Sequence, residues 1–318
     1  MHPAFSVIFF TTASGAGFGL FAWLGWLALS DHLPGRLAAG LALVIGAVFA
    51  AAGLCSSVLH LGQPQRAWRA FSQWRSSWLS REGVVALACF LPALCLGWQV
   101  FQADSGALIA TPAVRALGGL LLLLSLATIS CTAMIYASLK PIPAWTHPLV
   151  LPVYLAFALF TGGLLLLAIG GFSDFGGEHF NNADAALAVV AGAILLALLK
   201  WLAWRHIDSD RATVTRNDAL GLPHARPVHV FERPHTEANY LLKEMGYVVA
   251  RKHARQLRLI ALLLFAALPA LCALPVLAMS HGSVGPWMAL AFVSALLGAL
   301  VERWLFFAEA KHLVTLYY

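Results

Sequence analysis

Between Arg115 and Lys140 the chain reads ALGGLLLLLSLATISCTAMIYASL, 24 residues (116–139) without a single charge. An α-helix needs about 20 largely apolar residues to cross the hydrocarbon core of a bilayer, so this stretch reads as a spanning helix. The same reading holds for the charge-free runs 4–30, 37–65, 83–103, 141–173 and 185–199. The last is short, but Lys200 can snorkel to the interface and let residues 201–204 extend it. Run 259–301 is long enough for two spans and is broken by His281-Gly282-Ser283 and Gly285-Pro286. The expectation is an all-α polytopic membrane protein, an eight-helix bundle in which residues 1–318 form one integral membrane domain. Helices satisfy their own backbone groups in hydrocarbon, and the strand-like alternation of an outer-membrane barrel is absent.

Composition agrees. Hydrophobic residues make up 60% of the chain and charged residues 11%, with a mean hydropathy of +0.79. Soluble domains carry roughly a quarter charged residues, so an ordinary water-soluble enzyme is excluded. No Lys or Arg precedes the first apolar run, which is too long for a cleaved signal core; the first helix is expected to stay in the mature chain. Cys55, Cys89, Cys95, Cys131 and Cys272 all lie in apolar runs without ligand spacing. Neither a zinc or iron–sulfur site nor a disulfide framework is expected from them.

Eight spans put both termini on one side. That side carries 17 Lys and Arg, among them Arg66, Arg69, Arg75, Arg81, Lys140, Lys311 and eleven between Lys200 and Arg258. The other side has Arg36 and Arg115. The positive-inside rule therefore places both termini, the 61–81 loop and the long 205–256 loop in the cytoplasm. The basic residues are expected to meet anionic lipid headgroups, and nothing calls for nucleic acid as a partner. The 205–256 loop reads either as a solvated connector or as a docking surface for a soluble subunit.

Ionisable groups at membrane depth are costly and become functional candidates. His60 closes the second run, followed by Leu61-Gly62-Gln63-Pro64-Gln65-Arg66; Glu82 opens the third after Trp78-Leu79-Ser80-Arg81. Both stand at the same face, and the short loop between them predicts neighbouring helices. A quinone site needs an apolar slot, a hydrogen-bond partner for a carbonyl and a protonatable group open to water. His60 and Glu82 fit these roles, with Gly62 between them and Arg66 or Arg81 able to orient Glu82 or stabilise negative charge. The alternatives are an interfacial histidine capping a helix end and an acid placed on a helix dipole. Trp78, Ser80, Glu302 and Arg303 form a second group of candidates. Glu302 and Glu309, seven residues apart, share a helix face; they read as an intramembrane pair or snorkelling end, or else as a proton route or partner contact. No residue is expected to catalyse the substrate reaction or bind metal here. Histidines apart from His60 lie in loops or near helix ends, so no bis-histidine haem pair is expected. Gly15-Ala16-Gly17-Phe18-Gly19 lies inside a span without a preceding strand, so a dinucleotide fingerprint is discounted; Gly15 and Gly19, like Gly46, Ala50 and Gly53, suit close helix packing.

These residues resemble the DMSO reductase anchor-subunit family, the membrane subunits of three-part molybdopterin oxidoreductases. The likeness rests on His2-Pro3-Ala4-Phe5-Ser6-Val7, His60-Leu61-Gly62-Gln63-Pro64-Gln65-Arg66 and Ser77-Trp78-Leu79-Ser80-Arg81-Glu82. It continues in Thr236-Glu237-Ala238-Asn239-Tyr240, Lys243-Glu244-Met245-Gly246 and the tail from Glu302-Arg303-Trp304 to Glu309-Ala310. The resemblance implies eight helices, no haem, and a ubiquinone or menaquinone site near the face where a four-cluster, ferredoxin-like iron–sulfur subunit docks. Molybdopterin and the clusters then belong to partner subunits. It assigns functional roles to His60, Gly62, Arg66 and Glu82. With partners on the cytoplasmic side, the arrangement is similar to the cytoplasm-facing sulfite-oxidising molybdoenzymes of this family, passing electrons from sulfite to quinone. A quinol-oxidising anchor of a DMSO- or polysulfide-type reductase is the alternative; a secondary transporter is the alternative of another class.

Overall fold

The computed structural model describes residues 4–59, 61–103, 111–172, 181–209, 214–222, 226–232, 252–278 and 284–316. Among them there is no strand, and eight helices are long and apolar enough to cross a membrane. They are α1 (Phe5–Leu29), α2 (Arg36–Val58), α3 (Trp78–Gln102), α4 (Pro112–Ala137), α5 (Val150–Phe172), α6 (Asn182–Ser209), α7 (Ala254–Ala278) and α8 (Gly285–Ala308). The break expected in the last apolar run falls between α7 and α8. The second run ends earlier than its composition suggested: α2 stops at Val58, and Pro64–Gln73 forms a separate 3₁₀ segment with Trp68 exposed on it and Trp74 exposed just after it. Its Phe71 ring packs on Gly83 at the start of α3.

Helix α1 is the hub, packed against α2, α4, α5 and α8. Glycines allow the approach. A Cβ on Gly19 would collide with the Ala158 carbonyl oxygen of α5, and one on Gly17 would sit 2.5 Å from the Ala50 nitrogen of α2. Close contact of this kind is how helices associate in lipid, where no hydrophobic drive separates protein from solvent. Gly15 and Gly19 both face Ala158 of α5, as their spacing suggested, but a Cβ on Gly15 would make an ordinary 3.8 Å contact, so only Gly19 is required for the approach; Gly17 serves α2 instead.

Helix α3 packs chiefly on α4 and touches α2 little. The two expected neighbours are in contact, and beside that contact lies an apolar groove of about 460 Å³ lined by Leu43, Ala47, Phe90, Ala93, Gly97 and Trp98. In α7 a π-helical turn at Leu263–Ala267 precedes Pro269, which has no N–H to continue the ladder. Ser294 of α8 donates to the Leu264 carbonyl there (2.7 Å).

The long loop is partly ordered. Helix α6 continues to Ser209 and α7 begins at Ala254, so both ends of 205–256 are helical. Residues 214–222 and 226–232 also fold locally: a capping box joins Thr215 and Asp218, and Asn217 bridges the Arg226 carbonyl and the Val228 N–H. Arg216 ties this segment to the Leu316 carbonyl near the C-terminal end. The Thr236–Tyr240 and Lys243–Gly246 motifs, like His2-Pro3, lie outside the described residues.

Candidate functional site

Helix α3 begins at Trp78, so Glu82 is its fifth residue rather than a first-turn acid. Its side chain is turned inward and 3% exposed, and it accepts a hydrogen bond from Thr132 Oγ1 of α4. The helix-dipole reading is thereby replaced by an inter-helix contact. Thr132 has a second acceptor, the Thr128 carbonyl at 3.1 Å. One hydroxyl proton cannot serve both. A protonated Glu82 donating to Thr132 Oγ1 frees the threonine proton for Thr128; an ionised Glu82 claims it. The pair has a hydrogen-bonded arrangement for either state of the acid. Among the described residues no cation is paired with Glu82.

His60, the expected partner, lies outside the described residues; Leu59 and Leu61 on either side are exposed. Gly62 and Arg66 are also exposed, and Gly62 has open space where a Cβ would stand. Arg81 does not reach for Glu82. Its guanidinium donates to the carbonyls of Trp74 (3.0 Å) and Arg75 (2.6 Å) and lies 4.3 Å from the centre of the Trp78 ring. It fastens the loop to α3. Ser80 is buried, and its hydroxyl has no partner among the described residues.

The second group of candidates converges on the same interior. Lys200 is not a snorkelling residue: it is 4% exposed, and its side chain reaches from α6 to within 2.5 Å of Glu302 Oε1 of α8. Arg303 Nη1 approaches Glu302 Oε2 at 3.4 Å, and its guanidinium lies 3.5 Å from the centre of the Tyr154 ring of α5. Nearer the face, Arg258 of α7 binds Asp208 (2.7 and 3.0 Å) and Glu309 (3.0 and 3.2 Å). Burial raises the Glu309 carboxyl above its ordinary range while Arg258 opposes the rise. Glu302 and Glu309 thus each have a cationic partner, unlike Glu82.

A cavity of about 20 Å³, room for about one water molecule, lies between these two groups. It is lined by Thr11, Thr12, Thr132, Tyr154, Thr161 and Arg303, among others. Connectivity places Glu82, Thr132, Tyr154 and Arg303 in the half of the bilayer that bears the termini: Glu82 and Tyr154 near helix starts, Thr132 and Arg303 near helix ends. Tyr136, Trp145, Phe306 and Phe307 close the layer at the face with ring contacts of 5.2–5.8 Å. Sequence reading missed Thr132, Tyr154 and the burial of Lys200. A threonine in an apolar run carries no signal of its own, and Lys200 finds its partner only once α6 and α8 are both packed on α5 and α7. Among the described residues no group of His, Cys, Asp and Glu is arranged to hold a metal ion.

The family described as DMSO reductase anchor subunit (DmsC) matches residues 1–308. A sulfite dehydrogenase subunit of Allochromatium vinosum is 33% identical to the chain over 331 positions, which cover 100% of this chain and 99% of that protein.

Proposed function

Because the chain belongs to the DMSO reductase anchor subunit family, we propose that it is the quinone-reactive anchor of a molybdopterin–iron–sulfur oxidoreductase. Its iron–sulfur partner docks on the face that bears Glu82, and a ubiquinone or menaquinone ring is reached from within the bilayer beside it. One observation carries this reading. Glu82 is a carboxyl buried just inside the membrane face, bonded to a neutral hydroxyl, with no counter-charge among the described residues. A purely structural carboxylate at such depth needs a cation, as Glu302 has in Lys200. A group that takes up and releases a proton needs instead a partner that tolerates both states, which Thr132 supplies.

The residues divide the work by chemistry. Glu82 exchanges a proton with one quinone oxygen, and His60, which follows α2 in the chain, bonds the other. Arg81 and Trp78 hold the loop that brings α2 and α3 to the site, and Arg66 faces the docking partner or the anionic headgroups. Electrons come from sulfite oxidised in the catalytic subunit. The similarity to a sulfite dehydrogenase subunit supports that direction, and the excess of basic residues on this face supports a cytoplasmic position for the partners.

The test is turnover of the assembled complex. Glu82→Gln and His60→Ala should lose quinone-linked activity by about a hundredfold or more while dye-linked activity of the partner subunits persists. Wild-type quinone kinetics in both variants would remove the site.

A further inference from the structure

Glu82 stands at one end of a file of polar groups that quinone binding alone does not use. Beyond Thr132 lies the cavity of about 20 Å³. Thr11, Thr12 and Thr161 on its wall direct their hydroxyl protons to carbonyls of their own helices at 2.8–3.1 Å. Their oxygen lone pairs are left to face the cavity as acceptors. Two buried groups on the same wall make no hydrogen bond among the described residues: the Tyr154 hydroxyl, and Arg303 Nη1, which lies 3.4 Å from Glu302 Oε2. Acceptors on one side and polar groups without a hydrogen bond on the other are the setting in which a buried water is held.

Tyr154 and Arg303 also line a second cavity of about 30 Å³, together with Lys200 and His147. His147 precedes α5 at the membrane face, half-buried, its ring centre 4.0 Å from that of the exposed His206. Its Nδ1 accepts the Leu149 N–H at 3.2 Å, which leaves Nε2 for a proton. The file therefore runs from Glu82 through Thr132, the first cavity, Tyr154 and Arg303, then the second cavity with Lys200, to His147.

We propose that this file is a proton route joining Glu82 to water at the same membrane face, with His147 at its mouth. The proposal rests on the reading of Glu82 as the acid that serves the quinone. Each quinone reduced takes two electrons from the iron–sulfur subunit and forms two O–H bonds. Glu82 gives one of the two protons to a quinone oxygen and is left as the carboxylate. Water in the first cavity restores that proton through Thr132. His147 takes a proton from the aqueous side on Nδ1, in place of the Leu149 N–H bond, and gives its Nε2 proton inward, so that the ring is neutral again. The second proton enters through His60. Arg303 keeps its own protons; it orients the water, while Lys200 and Glu302 hold the local charge next to it. The remaining charges around the file, Arg258, Asp208 and Glu309, bind one another.

The test uses the complete complex with a short-chain ubiquinone analogue and the variants Tyr154→Phe, which removes one hydroxyl, and His147→Ala, at the surface. Both should assemble and keep dye-linked activity, yet reduce the quinone about tenfold or more slowly, with a larger solvent deuterium isotope effect. Added imidazole should restore His147→Ala. A wild-type rate in either variant, or a loss in His147→Ala that imidazole leaves untouched, overturns the route. Should Tyr154→Phe fail to assemble, His147→Ala decides by the same criteria. If Glu82→Gln is inactive while Tyr154→Phe is normal, only the route falls; if Glu82→Gln is normal, the quinone reading falls with it.

Discussion

Lys200 Nζ of α6 lies 2.5 Å from Glu302 Oε1 of α8, and both side chains are buried in the bundle. The pair joins two helices whose termini-side ends are further tied by Arg258, Asp208 and Glu309. Removing one partner of a buried pair strands the other charge and costs about 3–5 kcal/mol. Lys200→Met and Glu302→Gln should each lower the thermal midpoint of the detergent-solubilised complex by several degrees. The double variant should recover most of the loss. Additive losses in the double variant would show that the two charges do not stabilise each other.

The approach of α1 to α5 predicts a contrast between two glycines four residues apart. Gly19→Ala places a methyl group against the Ala158 carbonyl, where backbone must move, whereas the Gly15→Ala methyl meets an ordinary contact. Yield of folded complex from membranes should fall sharply for the first and stay at the wild-type level for the second. Equal yields would contradict the α1–α5 packing.

Burial, and then the neighbouring His206, hold the His147 imidazole below its ordinary 6.5. The folded protein therefore binds fewer protons than the unfolded chain once the pH falls through about 6.5, and stability drops across that window. Thermal scans between about pH 7 and about pH 5.5 should show a steeper decline for the wild type than for His147→Gln. Parallel slopes would mean that His147 titrates alike in both states.

The charge asymmetry predicts where the C-terminal end lies. A reporter fused after Tyr318 should read cytoplasmic, because 17 of the 20 Lys and Arg belong to that side of the eight spans or to the helix ends next to it. A periplasmic reading would move the partner subunits to the other face and remove the argument for a cytoplasmic sulfite reaction.

The spans were legible because hydrocarbon imposes one requirement everywhere: length without charge. That is why the break before α8 and the all-helical class follow from residue order alone. The site was legible only at its ionisable members. Glu82 stands out in a run that otherwise lacks charge, but nothing in the sequence marks Thr132, 50 positions away, as its partner. Lys200 satisfies the pattern of a snorkelling residue equally well as that of a buried pair, since the difference depends on Glu302 in another helix. Arg81 looked able to orient Glu82 because the two are adjacent in sequence; consecutive helical residues point about 100° apart, and Arg81 turns to the loop carbonyls instead. Gly15 and Gly19 share a spacing with true packing pairs, and only the position of α5 separates them.

The most direct measurement is a density map of the assembled complex with a quinone analogue bound. The head group should lie within hydrogen-bond distance, about 3 Å, of the Glu82 carboxyl on the termini side of the bilayer. A head group seated in the apolar groove of about 450 Å³ between α1, α5 and α6, beside Trp26 and Asp184, with Glu82 still enclosed by protein, would contradict the account.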